Sequence, residues 1–443
     1  MKELTRRSFI GKSALAAAAV PVTGSFLISH ANSVRASVVG ANERIRLGVI
    51  GSGGRSREVL SAFLTNADMD CPVICDVDEQ MSAKGVALVE GKRGHRPETV
   101  VDFRSVLERK DIDAVLVATP DHWHALPTVY ACQAGFDVYV EKPLAKSIDE
   151  GRAMLEASKR HNRVVQMGTQ YRSGTHYRDA VEFVQSGKLG KVGLVRGWAY
   201  LDWLGSVGNP ANCHPPANVD YEMWLGPAPE REFNPNRFHF NFRWFWDYAG
   251  GLMTDWGVHL INVMMWAMGP DQPKTVYSTG GKLVLQDNSE TPDTQIAVYE
   301  FPHYTMIWEH KVGCNNGLNG HAWGIAFTGS EGTLLLGDFG WEVIPERKTQ
   351  SLAAAKHKAG PDSIFPHVRN FLDCVKSRQQ PVENLHVGHA VSSVAHLGNI
   401  SLRTGEKLDW DHQAERITSC KAADELVGVT YRKPWTLPYM RRA

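Results

Sequence analysis

The first third of the chain alternates short apolar runs with helical patterns. One helical pattern covers residues 58–63, and another ends near residue 134. A third begins at Ser147, which forms a capping box with Glu150. The continuous apolar runs typical of buried parallel strands lie at 46–50, 72–75, 114–118 and 138–140. This alternation predicts a parallel α/β domain, which we place at residues 37–163.

Strand patterns dominate from residue 164 onward. They carry the β-branched and aromatic residues that favour strands, and they lie at 164–167, 192–200, 275–284, 294–301, 306–312 and 324–328. We therefore place a second domain at residues 164–443.

The first 36 residues have the features of an export signal. A twin-arginine pattern at 5–10 precedes an apolar stretch at 14–28, which is too short and too broken to span a bilayer, and 34–36 offers a small-residue cleavage site. We predict export by the twin-arginine route to the periplasm, with no stable membrane span after signal removal. Retention of the segment as an anchor and a frayed N-terminal helix are the alternatives.

Composition excludes several classes of function. The 443 residues include 48 Lys+Arg and 48 Asp+Glu, so zero net charge gives no reason to expect nucleic acid as a partner. The seven cysteines are scattered, without the paired C-x-x-C spacing of zinc sites. We predict no metal site.

A glycine-rich loop follows the first predicted strand. The segment Gly51-Ser52-Gly53-Gly54-Arg55-Ser56 joins a strand to a helix, as the pyrophosphate-binding turn of a dinucleotide fold does. Asp76 ends the second strand, 25 residues after Gly51, where an acid binds the ribose hydroxyls and repels a 2′-phosphate. We therefore predict NAD in preference to NADP. A glycine turn that binds nothing is the alternative.

Further polar residues follow the later strands at the edge where such sheets bind ligands. Thr119-Pro120 and Glu141-Lys142-Pro143 both lie there. His122 and His124 flank Trp123, but no third ligand for a metal is evident, and His124 is a candidate for the nicotinamide pocket.

Asp255 and His259 are four residues apart, so they share one face if this segment is helical. Removal of a hydroxyl proton needs a base such as histidine, and a developing alkoxide needs a cation such as lysine. We expect the carboxylate to orient the imidazole and raise its basicity. The alternative is a histidine buried in the core among apolar neighbours.

These motifs together resemble the glucose–fructose oxidoreductase/inositol dehydrogenase (Gfo/Idh/MocA) family. They are spread in the family's order over roughly 200 residues: Gly51-x-Gly53-Gly54, Thr119-Pro120-Asp121, Glu141-Lys142-Pro143, Gly250-Gly251 and Asp255-x-x-x-His259. The resemblance implies an α/β Rossmann domain and then an α+β domain with a large, mostly antiparallel open sheet. It also implies a homodimer or homotetramer.

The resemblance assigns roles to site residues. His259 is the base, Lys142 polarises the substrate oxygen, and Asp255 completes the catalytic set. Asn262 stands where an acidic residue is frequent in the family, which puts one substrate or base-tuning contact in question. Substrate contacts are assigned to Gln170, Arg172 and Asn262. Cofactor contacts are assigned to Gly51, Ser52, Gly53, Gly54, Arg55, Asp76, Thr119, Pro120, His124, Glu141 and Lys142.

Aromatic residues are concentrated in 198–247, with Arg237, His239 and Arg243 among them. Flat rings suit the C–H faces of sugars, so this segment is a candidate carbohydrate pocket; packing in the core or a dimer contact is the alternative.

We predict an NAD(P)-dependent oxidoreductase that acts on a hydroxyl group of a sugar, glycoside or polyol. Export favours a tightly bound nucleotide that is reset within each cycle, because NAD is not replenished outside the cytoplasm. Three alternatives stay open: a redox-neutral NAD-dependent glycosidase, an oxidase-like enzyme that uses an external acceptor, and a non-catalytic nucleotide-binding protein.

Overall fold

A six-stranded parallel sheet forms the N-terminal part of the fold in the computed structural model, which describes residues 44–203, 207–348 and 351–441. The predicted export signal lies outside these residues. The strands are β1 (Ile45–Ile50), β2 (Met69–Cys75), β3 (Glu98–Val100), β4 (Ala114–Val117), β5 (Asp137–Val140) and β6 (Val165–Met167). The helices between them are α1 (Gly54–Phe63), α2 (Glu79–Arg93), α3 (Phe103–Leu107), α4 (Ala125–Ala134) and α5 (Ile148–His161).

The strand order is β3-β2-β1-β4-β5-β6, so the direction of winding reverses between β1 and β4. In open α/β sheets a crevice forms at the carboxyl ends of the strands on either side of such a reversal. β6 pairs in parallel with β5. The first sheet therefore continues past residue 163, where the sequence places the end of the domain.

A second, ten-stranded sheet follows, with order β14-β13-β12-β11-β7-β10-β9-β8-β15-β16, numbered here in chain order. Its strands are β7 (Leu194–Leu201), β8 (Thr275–Gly281), β9 (Thr294–Glu300), β10 (Thr305–Val312), β11 (Trp323–Thr328), β12 (Gly332–Gly337), β13 (Gly340–Pro345), β14 (Ala355–Lys358), β15 (Leu408–Asp411) and β16 (Arg416–Ile417). All neighbouring pairs are antiparallel except β7 with β10. The predicted large, mostly antiparallel sheet is confirmed.

One face of this sheet is covered by helices. The helices of this half are α6 (Thr175–Gln185), α7 (Tyr221–Leu225), α8 (Val258–Met268), α9 (Ile364–Ser377), α10 (Leu385–Thr404) and α11 (Lys421–Glu425). In β9 the side chains of Ala297 and Tyr299 are buried while Ile296 and Val298 are exposed, as expected for a strand with one covered face. No helix within the described residues is both long enough and apolar enough to cross a bilayer.

The C-terminal part of the chain also returns to the first sheet. Phe371 of α9 packs edge-on against Phe63 and Tyr139, in the core beneath the parallel sheet. Residues 164–443 therefore do not form a self-contained unit, because part of their apolar surface is buried against the Rossmann core.

Candidate active site

The glycine loop between β1 and α1 is shaped for a phosphate group. Gly51 has a φ of +84°, and a Cβ there would lie 2.8 Å from the carbonyl oxygen of Ala118, so only glycine fits. A Cβ on Gly53, in contrast, would meet no described atom within 4 Å. No side chain of the described residues caps α1 at this end. The free N–H groups of the helix N-terminus therefore face open space, which fits a pyrophosphate.

Asp76 is anchored at the end of β2. Its two carboxylate oxygens accept backbone N–H groups from Ser52, at 2.6 Å, and from Asp78, at 2.9 Å. Burial raises the pKa of Asp76 to about 6, although these hydrogen bonds oppose the shift. The carboxylate is thus fixed beside the glycine loop, in the position predicted for contact with a ribose.

A cavity of about 390 Å³ extends from the glycine loop across the carboxyl ends of the parallel strands. Asp76, Thr119, Pro120, His124, Glu141 and Lys142 line it, together with Gly51, Gly53, Gly54 and Arg55. Its other wall comes from the second half of the chain, through Trp224, Phe238, His239, Phe240, Phe242 and Arg243. Of the predicted cofactor residues only Ser52, which is buried, does not line the cavity.

Residues 207–241, here called the covering segment, join that wall to the β2–α2 turn. Asn218 donates its side-chain amide to Asp78 at 2.8 Å, and His239 contacts the other oxygen of Asp78 at 3.0 Å. The backbone adds two hydrogen bonds, from Glu79 to Asn218 and from Asp220 to Val77. The segment thereby covers the turn that would hold the adenosine half of a dinucleotide.

Lys142 and Asp255 form the charged centre of the site. Lys142 follows β5, and its Nζ donates to Oδ1 of Asp255 at 2.5 Å and to the Asp255 carbonyl at 3.0 Å. Arg243 donates to the same Oδ1 at 3.1 Å. Burial alone would raise the pKa of Asp255, but the charges of Lys142 and Arg243 hold it well below its usual range. Asp255 is therefore an anion at any working pH.

Asp255 lies in a π-helical turn, Met253–Gly257, which leads directly into α8. Such turns occur frequently at functional sites because the extra residue redirects side chains. Here the carboxylate points to Lys142 and does not hydrogen-bond to His259.

His259 differs from its predicted environment. Its Nδ1 is buried and has no hydrogen-bond partner within the described part of the chain. Burial and the positive charges of Lys142 and Arg55 hold the pKa of His259 well below its ordinary value, and Asp255 only partly opposes this. Asp255 thus acts in the expected direction on His259, but burial and the two cations outweigh it, so the net shift of the pKa is downward. The imidazole is instead neutral at neutral pH and able to accept a proton.

A buried carboxylate that the sequence did not indicate, Glu383, contacts Asn262 of α8. Oε1 of Glu383 accepts from the Asn262 amide at 2.6 Å, and its Oε2 lies 3.2 Å from Arg172. Arg172 also donates to Asn262 at 2.6 Å. Burial raises the pKa of Glu383 to about 7, with Arg172 opposing. Glu383 thus places an acidic group beside Asn262, where the acid frequent in the family is missing.

The remaining predicted residues have other protein contacts. Arg55 donates to Glu141 at 3.0 Å and to Gln170 at 3.3 Å, so it links the glycine loop to the strand ends. His124 contacts the carbonyls of Pro143 and Thr119, and His122 contacts that of Trp224. Within residues 44–203, 207–348 and 351–441, no three His, Cys, Asp or Glu side chains are grouped to hold a metal.

Sequence profiles match almost the whole described chain. The profile described as "Oxidoreductase family, NAD-binding Rossmann fold" matches residues 45–169, and "Oxidoreductase family, C-terminal alpha/beta domain" matches 173–437. The chain belongs to the Gfo/Idh/MocA family. It therefore contains the NAD-binding Rossmann domain of these oxidoreductases.

The curated relatives include a levoglucosan dehydrogenase and an alpha-N-acetylgalactosaminidase. Levoglucosan dehydrogenase of Pseudarthrobacter phenanthrenivorans is 27% identical over 176 residues, which is 38% of this chain and 44% of that protein. Alpha-N-acetylgalactosaminidase of Shewanella oneidensis is 24% identical over 206 residues, 43% of this chain and 45% of the relative. These alignments span less than half the length of the relatives.

Solved structures share the fold. Levoglucosan dehydrogenase in complex with NADH and levoglucosan superposes with a TM-score of 0.65 at 18% identity, over 83% of this chain and 99% of the other. An aldose–aldose oxidoreductase from Caulobacter crescentus, complexed with glycerol, gives a TM-score of 0.62 at 18% identity, with the same coverage.

Proposed function

We propose that this protein is an NAD-dependent oxidoreductase that oxidises a hydroxyl group of a sugar, glycoside or polyol. The observation that carries the proposal is the contact of Lys142, which lines a cavity suited to a dinucleotide, with Asp255, with His259 one helical turn further on. When bound, NAD supplies the hydride acceptor. The characterised relatives that act on sugars support a carbohydrate substrate.

Lys142 is suited to hold the substrate oxygen. Two of its three ammonium protons are directed to Asp255, so one remains for a developing alkoxide. His259 takes the hydroxyl proton: burial and the nearby positive charges of Lys142 and Arg55 lower its pKa, so the imidazole is unprotonated before the reaction and has a free site for that proton. Asp255 is a fixed anion that positions Lys142 and does not exchange protons itself.

We further propose that NAD is held tightly and acts as a prosthetic group. The covering segment contacts Asp78 through Asn218 and His239 and encloses the adenosine side of the cavity. Asp76 favours NAD over NADP because its carboxylate, fixed beside the glycine loop, repels a 2′-phosphate. Tight binding agrees with export of the folded protein by the twin-arginine route, which stays a proposal based on residues 5–36.

A redox-neutral glycosidase is the second candidate. That reaction needs an additional group to move a carbon-bound proton, and Asp121 lines the same cavity. Burial raises the pKa of Asp121 to about 7, with Arg243 opposing, so this carboxyl can exchange protons near neutral pH. Release of nitrophenol from nitrophenyl glycosides, without net reduction of the nucleotide, would favour this candidate.

Self-association is proposed through the open face of the ten-stranded sheet. Tyr277, Ile296, Val298 and Ile344 are exposed there, and exposed apolar side chains on a sheet suit a symmetric contact. Light scattering on the purified protein measures the mass directly, and a monomer at all concentrations would contradict the homodimer or homotetramer.

The function is tested on natively purified protein, by following absorbance at the reduced-nicotinamide band while sugars are titrated. A signal that rises and returns without added cofactor supports an internal cycle in which a second sugar resets the nucleotide. A persistent stoichiometric signal contradicts that cycle and favours an external acceptor. Protein that neither carries nor binds a nucleotide would contradict the whole proposal.

A further inference from the structure

A row of aromatic rings leads from the candidate catalytic centre to the protein surface. The ring centroid of Trp256 lies 6.1 Å from that of His259. Trp203 follows at 5.7 Å from Trp256, and Phe240 at 5.9 Å from Trp203. Each ring is tilted steeply against the next, so the row presents several ring faces and does not form a closed stack.

Arg243 contacts both the outer end of the row and the charged centre. The guanidinium group of Arg243 lies 4.7 Å from the centroid of Phe240 and donates to Asp255. The aromatic row therefore borders the catalytic centre and does not belong to an unrelated surface.

Exposure increases along the row. Trp256 is half-buried, Trp203 is 41% exposed and Phe240 is 50% exposed. Large rings left in water next to a catalytic centre lose the free energy that their burial would provide, and a ligand that covers them recovers it. An aromatic path that opens outward fits a substrate that extends out of the site.

We propose that Trp203 and Phe240 form a subsite for a second pyranose ring, so that the substrate is a glycoside of at least two sugar rings. This inference rests on the proposed function and names its substrate class. Trp256 contacts both His259 and Trp203, so we expect a sugar ring whose hydroxyl group is at His259 to reach Trp256 and a second ring to cover Trp203.

The chemistry of the row favours a sugar ring over a purely apolar group. Aromatic faces accept the C–H face of a pyranose, whereas the hydroxyl groups at its edge need donors or acceptors. Arg243 uses only part of its five N–H groups on Asp255 and on the Phe240 carbonyl. Its remaining donors lie beside the rings, where the hydroxyl groups of a stacked sugar would be.

The test compares one-ring and two-ring substrates on the nucleotide-loaded protein. The probes are methyl glucoside and methyl galactoside, the disaccharides cellobiose, maltose and lactose, and phenyl glucoside. The half-saturating concentration for the nicotinamide signal is measured in the wild type, Trp203→Ala, Phe240→Ala and the conservative Trp203→Phe. Phe365→Ala removes a similarly exposed ring on α9 and is the matched control.

We expect Trp203→Ala and Phe240→Ala to raise the half-saturating concentration of the reactive disaccharide by about tenfold. In Trp203→Ala, which does not alter the lining of the dinucleotide cavity, the value for the methyl glycoside should stay close to that of the wild type, and Trp203→Phe should restore most of the loss. An equal effect of Trp203→Ala on both substrate sizes, no effect on either, or tighter binding of phenyl glucoside than of any disaccharide would overturn the subsite alone. If no sugar gives a nicotinamide signal, the proposed function fails and the subsite fails with it.

Discussion

Nζ of Lys142 lies 2.5 Å from Oδ1 of Asp255, and 113 positions along the chain separate the two residues. The contact joins the carboxyl end of β5 to the π-helical turn before α8, and Arg243 contacts the same oxygen. A buried carboxylate with two cationic partners has a fixed position and a fixed charge. The ammonium group of Lys142 is thereby held at the edge of the cavity, where the proposed reaction needs it.

Replacement of Lys142 by Met should lower turnover by about a hundredfold or more, because a positioned donor to a developing oxyanion is lost. Bound nucleotide should remain, since Arg243 still neutralises Asp255 and the covering segment is untouched. Turnover and nucleotide content are measured on the same preparation. Near-normal turnover in Lys142→Met would show that Lys142 does not hold the reacting oxygen.

His259→Ala should abolish turnover and leave the nucleotide in place. The pH dependence gives an independent check. Because the folded-state pKa of His259 is lowered from 6.5, protonation of His259 should not contribute to a decline of activity around pH 6.5. The unfolded chain binds a proton there that the folded protein does not, so the stability linked to His259 is complete above pH 6.5 and falls as the pH decreases below it.

The contribution of His259 to the pH dependence of stability can be separated from that of other groups. The unfolding free energy in urea is measured for the wild type and His259→Gln between pH 5 and pH 8. The difference in unfolding free energy should change with pH in that range. Parallel curves would show that the imidazole titrates normally.

The local patterns of the sequence predicted the fold well. The strand ends, the glycine loop and the acid at Asp76 all depend on neighbouring residues, and the structure brings them together as expected. The pairing of Asp255 was not predictable in the same way. A four-residue spacing suggests contact with His259, but a π-helical turn redirects the carboxylate to Lys142, and no sequence period signals that turn.

Glu383 is a second part of the site that could not be predicted from the sequence. It lies 121 residues after Asn262, just before α10, and nothing around it in the sequence marks it as part of the site. The only signal in the sequence was Asn262, which stands where an acidic residue is frequent in the family and so suggests that another residue supplies the carboxylate. The β2–α2 contacts of the covering segment were equally hidden, because they join residues about 140 positions apart.

Glu383→Gln should make stability less dependent on pH. The pKa of Glu383 is raised from 4.5 to about 7 in the folded protein, so its favourable contribution is complete below pH 4.5 and is lost as the pH rises toward 7. A shift of this size corresponds to a loss on the order of 3 kcal/mol. Urea unfolding at pH 5 and pH 8 should show a larger decrease in the wild type than in Glu383→Gln. If both lose the same stability, Glu383 is ionised throughout.

Retention of the nucleotide should depend on His239. Its imidazole contacts Asp78 at 3.0 Å and joins the covering segment to the β2–α2 turn, while Asn218 holds the other oxygen of the same carboxylate. Because the His239 side chain is 45% exposed, loss of this contact costs about 0.2–1 kcal/mol, so His239→Ala should release NAD up to about fivefold faster, without a comparable loss of turnover when NAD is added in excess. Nucleotide loss is followed by fluorescence of the reduced cofactor during dilution, with the exposed His412→Ala as the matched control. Unchanged release in both His239→Ala and Asn218→Ala would mean that the segment does not retain the cofactor, and that NAD exchanges by another route.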